Sequence, residues 1–131
     1  MSDNKKYTVV LFSIDLVFNQ IINRILEKPG TDVKLINYTS FSDAEHISEQ
    51  DKIDLIIVND EIIGTSSYEL ISVLRLKRQI SCPFIFFGIS EYEGERKALM
   101  TGANFFIRKP FNPDSVLKTF QELLPLKNES V

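Results

Sequence analysis

The 131-residue sequence predicts a single α/β domain, a parallel five-stranded sheet doubly wound with helices on both faces. Three observations carry this prediction. Val9-Val10-Leu11-Phe12, Ile53-Asp54-Leu55-Ile56-Ile57-Val58 and Pro83-Phe84-Ile85-Phe86-Phe87 are short apolar runs without polar alternation, as expected of strands buried on both faces of a parallel sheet. Between them, apolar residues recur at helical spacing. Capping residues recur between the runs. One domain over residues 1–131 follows, with its core in 7–124 and short polar ends.

The elements follow in order. Val9 to Phe12 form the first strand. Phe18, Ile21, Ile22, Ile25 and Leu26 share one face of the first helix, which Lys28-Pro29-Gly30 ends. Val33, Leu35 and Tyr38 suit a more exposed edge strand. Ser42-Asp43-Ala44-Glu45 has the form of a capping box and opens a short second helix before the strand at Ile53. Ser66-Ser67-Tyr68-Glu69 repeats that form ahead of Leu70, Ile71 and Leu74, and Ser90-Glu91-Tyr92-Glu93 repeats it after the strand ending at Phe87. Gly102 closes the fourth helix where a left-handed residue is wanted. Phe105-Phe106-Ile107 is the last strand, and Asn112-Pro113 supplies an N-cap and a first-turn proline for a helix carrying Val116, Leu117, Phe120 and Leu124. The tail from Leu126 to Val131 is expected to fray.

Composition narrows the function classes. With 44% hydrophobic and 25% charged residues the chain is built to fold. A net charge of −3 argues against nucleic acid or an anionic membrane as partner. The basic stretch Arg75-Leu76-Lys77-Arg78 falls at a helix end, where it complements the helix dipole. One cysteine, Cys82, and one histidine, His46, make neither a disulfide nor a metal-ligand pattern. No signal core precedes the first strand and no run nears the ~18 apolar residues of a membrane span, so a cytoplasmic location is expected.

Sheets of this kind hold ligands in the crevice outside the carboxyl ends of their strands. The Ile53 strand emerges there at Asn59-Asp60. Which of the two faces the crevice decides between chemistry and simple binding.

The ordered series resembles a receiver domain of the two-component response regulators from about Tyr7 to Leu124. The resemblance rests on Gly102-Ala103-Asn104-Phe105-Phe106-Ile107-Arg108-Lys109-Pro110-Phe111, and on Asp54 to Val58 with Glu69-Leu70 downstream. It implies a flavodoxin-like fold with strand order 2-1-3-4-5, a cis peptide between Lys109 and Pro110, and self-phosphorylation of an aspartate with Mg²⁺. Residue by residue, however, the acceptor position falls on Asn59 rather than Asp60. The family's adjacent acidic pair falls on Ser13 and Ile14, with Asp15 one residue later. Its hydroxyl residue ending the fourth strand falls on Gly88. The lysine is kept as Lys109, and the aromatic switch position is Phe106.

These departures remove parts of the chemistry. A carboxamide is a poor nucleophile beside a carboxylate. Mg²⁺ wants octahedral oxygen donors, usually one or two of them carboxylates, where Ser13, Ile14 and Asn59 offer neutral groups or none. Gly88 has no side chain to stabilise a transferred phosphoryl group. Asp15 reads more simply as a helix cap, Asp60 as a solvated loop residue, and Lys109 as the partner of Asp15, Asp60 or Asn59.

The expectation is therefore a stand-alone pseudo-receiver with no enzymatic activity, metal or cofactor. It would signal by phosphorylation-independent protein–protein interaction, including as a homodimer. The resemblance places that interaction on the face of the fourth helix, fifth strand and fifth helix, with Tyr92, Phe106 and Arg108. The alternative is a working phosphoacceptor using Asp60 or Asp15 with Mg²⁺. A nucleotide- or flavin-binding domain is a second rival, opposed by the absence of glycines in Ser13-Ile14-Asp15-Leu16.

Overall fold

β1 (Lys6–Phe12), β2 (Asp32–Tyr38), β3 (Leu55–Asn59), β4 (Phe84–Ile89) and β5 (Phe105–Lys109) form one parallel sheet in the order β2-β1-β3-β4-β5. The computed structural model describes residues 6–28, 32–48, 50–64, 66–89 and 92–125. Every residue of β3 is buried, the consequence of a central strand with helices over both faces. β2, at the edge, has no fully buried residue.

The α-helices are α1 (Leu16–Glu27), α2 (Ser67–Leu76), α3 (Tyr92–Thr101) and α4 (Pro113–Leu123). On one face Leu11, Ile57, Ile85 and Phe87 pack against Phe18 and Ile22 of α1 and Val116 and Phe120 of α4. On the other, Val10, Ile56, Phe84 and Phe86 meet Leu70, Ile71 and Leu74 of α2 and Ala98 of α3. Alternate residues of each strand serve opposite cores, so neither core is complete without the sheet.

Two sequence expectations are corrected. The second helix is a six-residue 3₁₀ segment, Phe41–His46, and its N-cap is Ser40, not Ser42. Asp43 accepts from the Ser40 N–H at 3.1 Å, closing a capping box two residues earlier than expected. The fourth and fifth helices of the sequence reading are thus α3 and α4. Elsewhere the caps fall where read: Ser66 accepts from Glu69 N at 3.2 Å and Asn112 from Asp114 N at 2.8 Å, with Pro113 opening α4. Pro29, Gly30, Ser90, Glu91 and the tail from Leu126 lie outside the described residues.

Arg75 is the larger surprise. Its guanidinium donates to the carbonyls of Ile80 (2.9 Å), Cys82 (2.8 Å) and Gly102 (3.0 and 2.8 Å) and to Asn104 Oδ1 (2.8 Å), and lies 3.8 Å over the Phe84 ring. It ties the loop before β4 to the loop before β5, in addition to its place in the last turn of α2, and burial lowers its pKa. Gly102 is required twice over. Its φ is +129°, and a Cβ there would meet Arg75 Cγ at 2.8 Å. Beside the clamp, burial raises the Cys82 thiol to about 11, which leaves it little thiolate character at neutral pH.

Candidate functional site

The crevice is built where β1, β3 and β5 deliver polar residues to their carboxyl ends. Ser13 follows β1, Asn59 ends β3 and Lys109 ends β5; Ser13 and Asn59 are both fully buried. A buried amide must find partners or pay the desolvation cost. Asn59 Nδ2 donates to Ser13 Oγ at 3.0 Å, while Asn59 Oδ1 accepts from Lys109 Nζ at 2.7 Å and from the Asp60 N–H at 2.9 Å. Ser67, at the start of α2 and 4% exposed, donates to the Asn59 carbonyl at 2.7 Å. Ser67 was not legible in the sequence, because its neighbour Ser66 already supplied the cap.

Asp60 differs from its sequence reading. It is not a solvated loop residue: its Oδ1 pairs with Lys109 Nζ at 2.7 Å, with the two side chains 19% and 21% exposed. No bulge is needed to bring it there, since the β3–β4 register runs unbroken from Ile56↔Phe84 to Asn59↔Phe87. Both Asn59 and Asp60 therefore face the crevice, the amide beneath and the carboxylate above. Lys109 is shared between them and stands 5.5 Å over the Phe18 ring.

Asp15 stays away from this pair and caps α1, accepting from Phe18 N at 3.1 Å. Ile14 is 40% exposed and contributes its backbone N–H to the Glu61 carbonyl at 3.1 Å. A Cβ on Gly88 would meet Phe86 Cε1 at 2.8 Å and Phe106 Cε2 at 3.1 Å, so aromatic rings occupy the space a side chain would need. Phe106 lies half-buried and parallel to Phe86 (5.7 Å, 12°), which stacks in turn on Tyr68 (4.8 Å, 13°). Of the two places open to Phe106, on the interaction face or tucked inward, its ring packs inward against Phe86 while staying partly exposed. Arg108 is exposed and lies 3.9 Å from Glu95. The Tyr92 side chain lies outside the described residues.

Magnesium asks for octahedral oxygen donors with one or two carboxylates among them. Asp15 is committed to a helix cap, Asp60 to Lys109, and the remaining oxygens are neutral and already bonded. The residues present do not fit that ion, and among the described residues no cluster of three acidic, histidine or cysteine side chains could hold a metal.

The strand order, the alternating helices and the cis peptide before Pro110 define a flavodoxin-like domain of the CheY type. Residues 15–121 match the family described as response regulator receiver domain, and the chain belongs to that family. A protein from Chloroflexus aurantiacus assigned as a response regulator has a similar structure, with TM-score 0.80, 18% identity and 92% and 98% of the two chains covered. The chemotaxis response regulator CheY4 of Vibrio cholerae gives TM-score 0.75 and 20% identity over 92% and 100%. The receiver domain of a Pseudomonas aeruginosa sensor histidine kinase, solved with magnesium coordinated in its active-site cleft, gives 0.76 and 18% over 92% and 98%. No curated protein sequence matches the chain. Among the described residues, no helix is long and apolar enough to cross a membrane.

Proposed function

We propose that this receiver domain acts in two-component signalling as a protein-interaction module, without taking up a phosphoryl group and without catalysing a reaction. The observation that supports this best is Asn59. It stands at the end of β3 where the family's acceptor is expected, fully buried, with its amide bonded to Ser13, Lys109 and the Asp60 N–H. An uncharged amide so engaged is a poor nucleophile. Gly88 and Ile14 withhold the hydroxyl and the metal ligand that phosphoryl transfer would use.

Incubation with Mg²⁺ and acetyl phosphate is expected to leave the mass of the protein unchanged. Asn59→Asp is expected to stay unlabelled as well, since it restores one part of several. A hydroxylamine-sensitive phosphoryl adduct on that single variant overturns the reading. The carboxylate of Asp60 beside Lys109 favours one rival, a phosphoacceptor at Asp60; an adduct mapped to Asp60 in the wild type would establish it.

The partner is a protein, including a second copy of this chain, docking on the face of α3, β5 and α4. α3 exposes Leu99 (43%) and Met100 (74%), and β5 offers Arg108, a residue type favoured at interface hot spots. Arg108→Glu is expected to abolish self-association in sedimentation equilibrium with little change in stability, because its pair with Glu95 is exposed. Unaltered self-association in the variant, or a wild type that stays monomeric, would refute the homodimer.

A further inference from the structure

Asp60 divides its carboxylate between two donors. Oδ1 accepts from Lys109 Nζ at 2.7 Å and Oδ2 from the Ile89 backbone N–H at 3.2 Å. Its own N–H donates to the Phe87 carbonyl at 3.0 Å. One residue at the end of β3 thereby joins the ends of β4 and β5. A cation and a main-chain N–H converging beside a residue without a side chain make an oxyanion site. In this protein the anion that fills it is part of the chain.

We propose that Asp60 is a resident anion, occupying an oxyanion site formed by Lys109 Nζ and the Ile89 N–H, closing it to free oxyanions and holding the end of β4 in one arrangement. The proposal rests on the reading that Asn59 takes no phosphoryl group. A tethered carboxylate meets its donors at a high effective concentration, so a free anion has to outcompete it. The consequence reaches Phe106. Ile89 follows Gly88, and the ring of Phe106 lies in the space over Gly88, 3.1 Å from where its Cβ would stand. The backbone that Asp60 fixes at Ile89 adjoins Gly88, whose Cβ position both stacked rings crowd, Phe86 at 2.8 Å and Phe106 at 3.1 Å.

The test is an NMR titration with sulfate, a tetrahedral oxyanion with no phosphoryl group to transfer. Wild-type protein is expected to show no saturable shift at the Ile89 N–H. Asp60→Ala is expected to bind sulfate roughly tenfold or more tightly than wild type, the factor conferred by one charge-assisted hydrogen bond. The Phe106 ring resonances should move in the sulfate-free variant and return towards their wild-type positions on binding. Asp60→Ala/Lys109→Ala should lose the site. Equal affinity in wild type and Asp60→Ala, no binding by the folded variant, or Phe106 resonances indifferent to the substitution would each overturn the proposal. Asp60→Ser, which keeps a polar group too short to span both donors, is read the same way if the alanine variant unfolds. The mass assay above reports separately on phosphorylation: an adduct on wild type sinks that reading, whereas absent sulfate binding sinks this one alone.

Discussion

Phe87→Ala is expected to destabilise the domain by about 4 kcal/mol, the cost of truncating a buried phenylalanine. Phe87 is fully buried on β4 and meets two rings edge-on, Phe18 at 5.0 Å and Phe111 at 5.2 Å, which themselves stand 6.0 Å apart at 90°. Each ring faces the other two, so removing one opens a cavity that the remaining pair can close only by abandoning its geometry. The effect should reach the crevice, because Lys109 stands over Phe18. Phe87→Leu, which keeps most of the volume, should cost about 1.5 kcal/mol or less. Urea unfolding midpoints at constant slope measure both. A loss below about 1 kcal/mol for the alanine variant would mean that the ring cluster does not carry this core.

Arg75→Ala is expected to cost about 3 kcal/mol, an unusual amount for a half-buried charged side chain. The reason is the geometry of its acceptors. Three backbone carbonyls, on Ile80, Cys82 and Gly102, converge on one guanidinium that also rests on the Phe84 ring. Water can replace some of these bonds but cannot bridge the two loops. Arg75→Lys should recover little, since an ammonium cannot present several donors in one plane. For a domain of this size the melting temperature should fall by about 10 °C. A fall of about 2 °C or less would show that solvent substitutes fully for the clamp.

The two variants also divide what could be read from what could not. Phe87 was legible: it stands in a continuous apolar run, and such a run specifies a strand buried on both faces wherever it sits in the chain. Arg75 stands in the last turn of α2, as its dipole-complementing role requires, but its clamp is not legible in the sequence, because the carbonyls it binds come from loops five, seven and twenty-seven residues away. The 3₁₀ segment was misplaced by two residues for a related reason. Ser40 and Ser42 are equally good caps in isolation, and the choice falls to Ser40, whose backbone also bridges to Ile63.

At the crevice the division is sharper. Residue types alone determined that the end of β3 carries an amide, that a glycine stands one residue before the end of β4 and that a lysine precedes Pro110, because each follows directly from counting along the strands. Where the charged groups point was decided only by the fold. Asp15 and Asp60 are both acids next to strand ends; one turns to cap a helix and the other reaches Lys109. Local propensity favours neither outcome. The parallel register that sets β3 beside β4, and β4 beside β5, puts Lys109 and the Ile89 N–H within reach of Asp60, and a half-buried cation takes the carboxylate that packing brings to it.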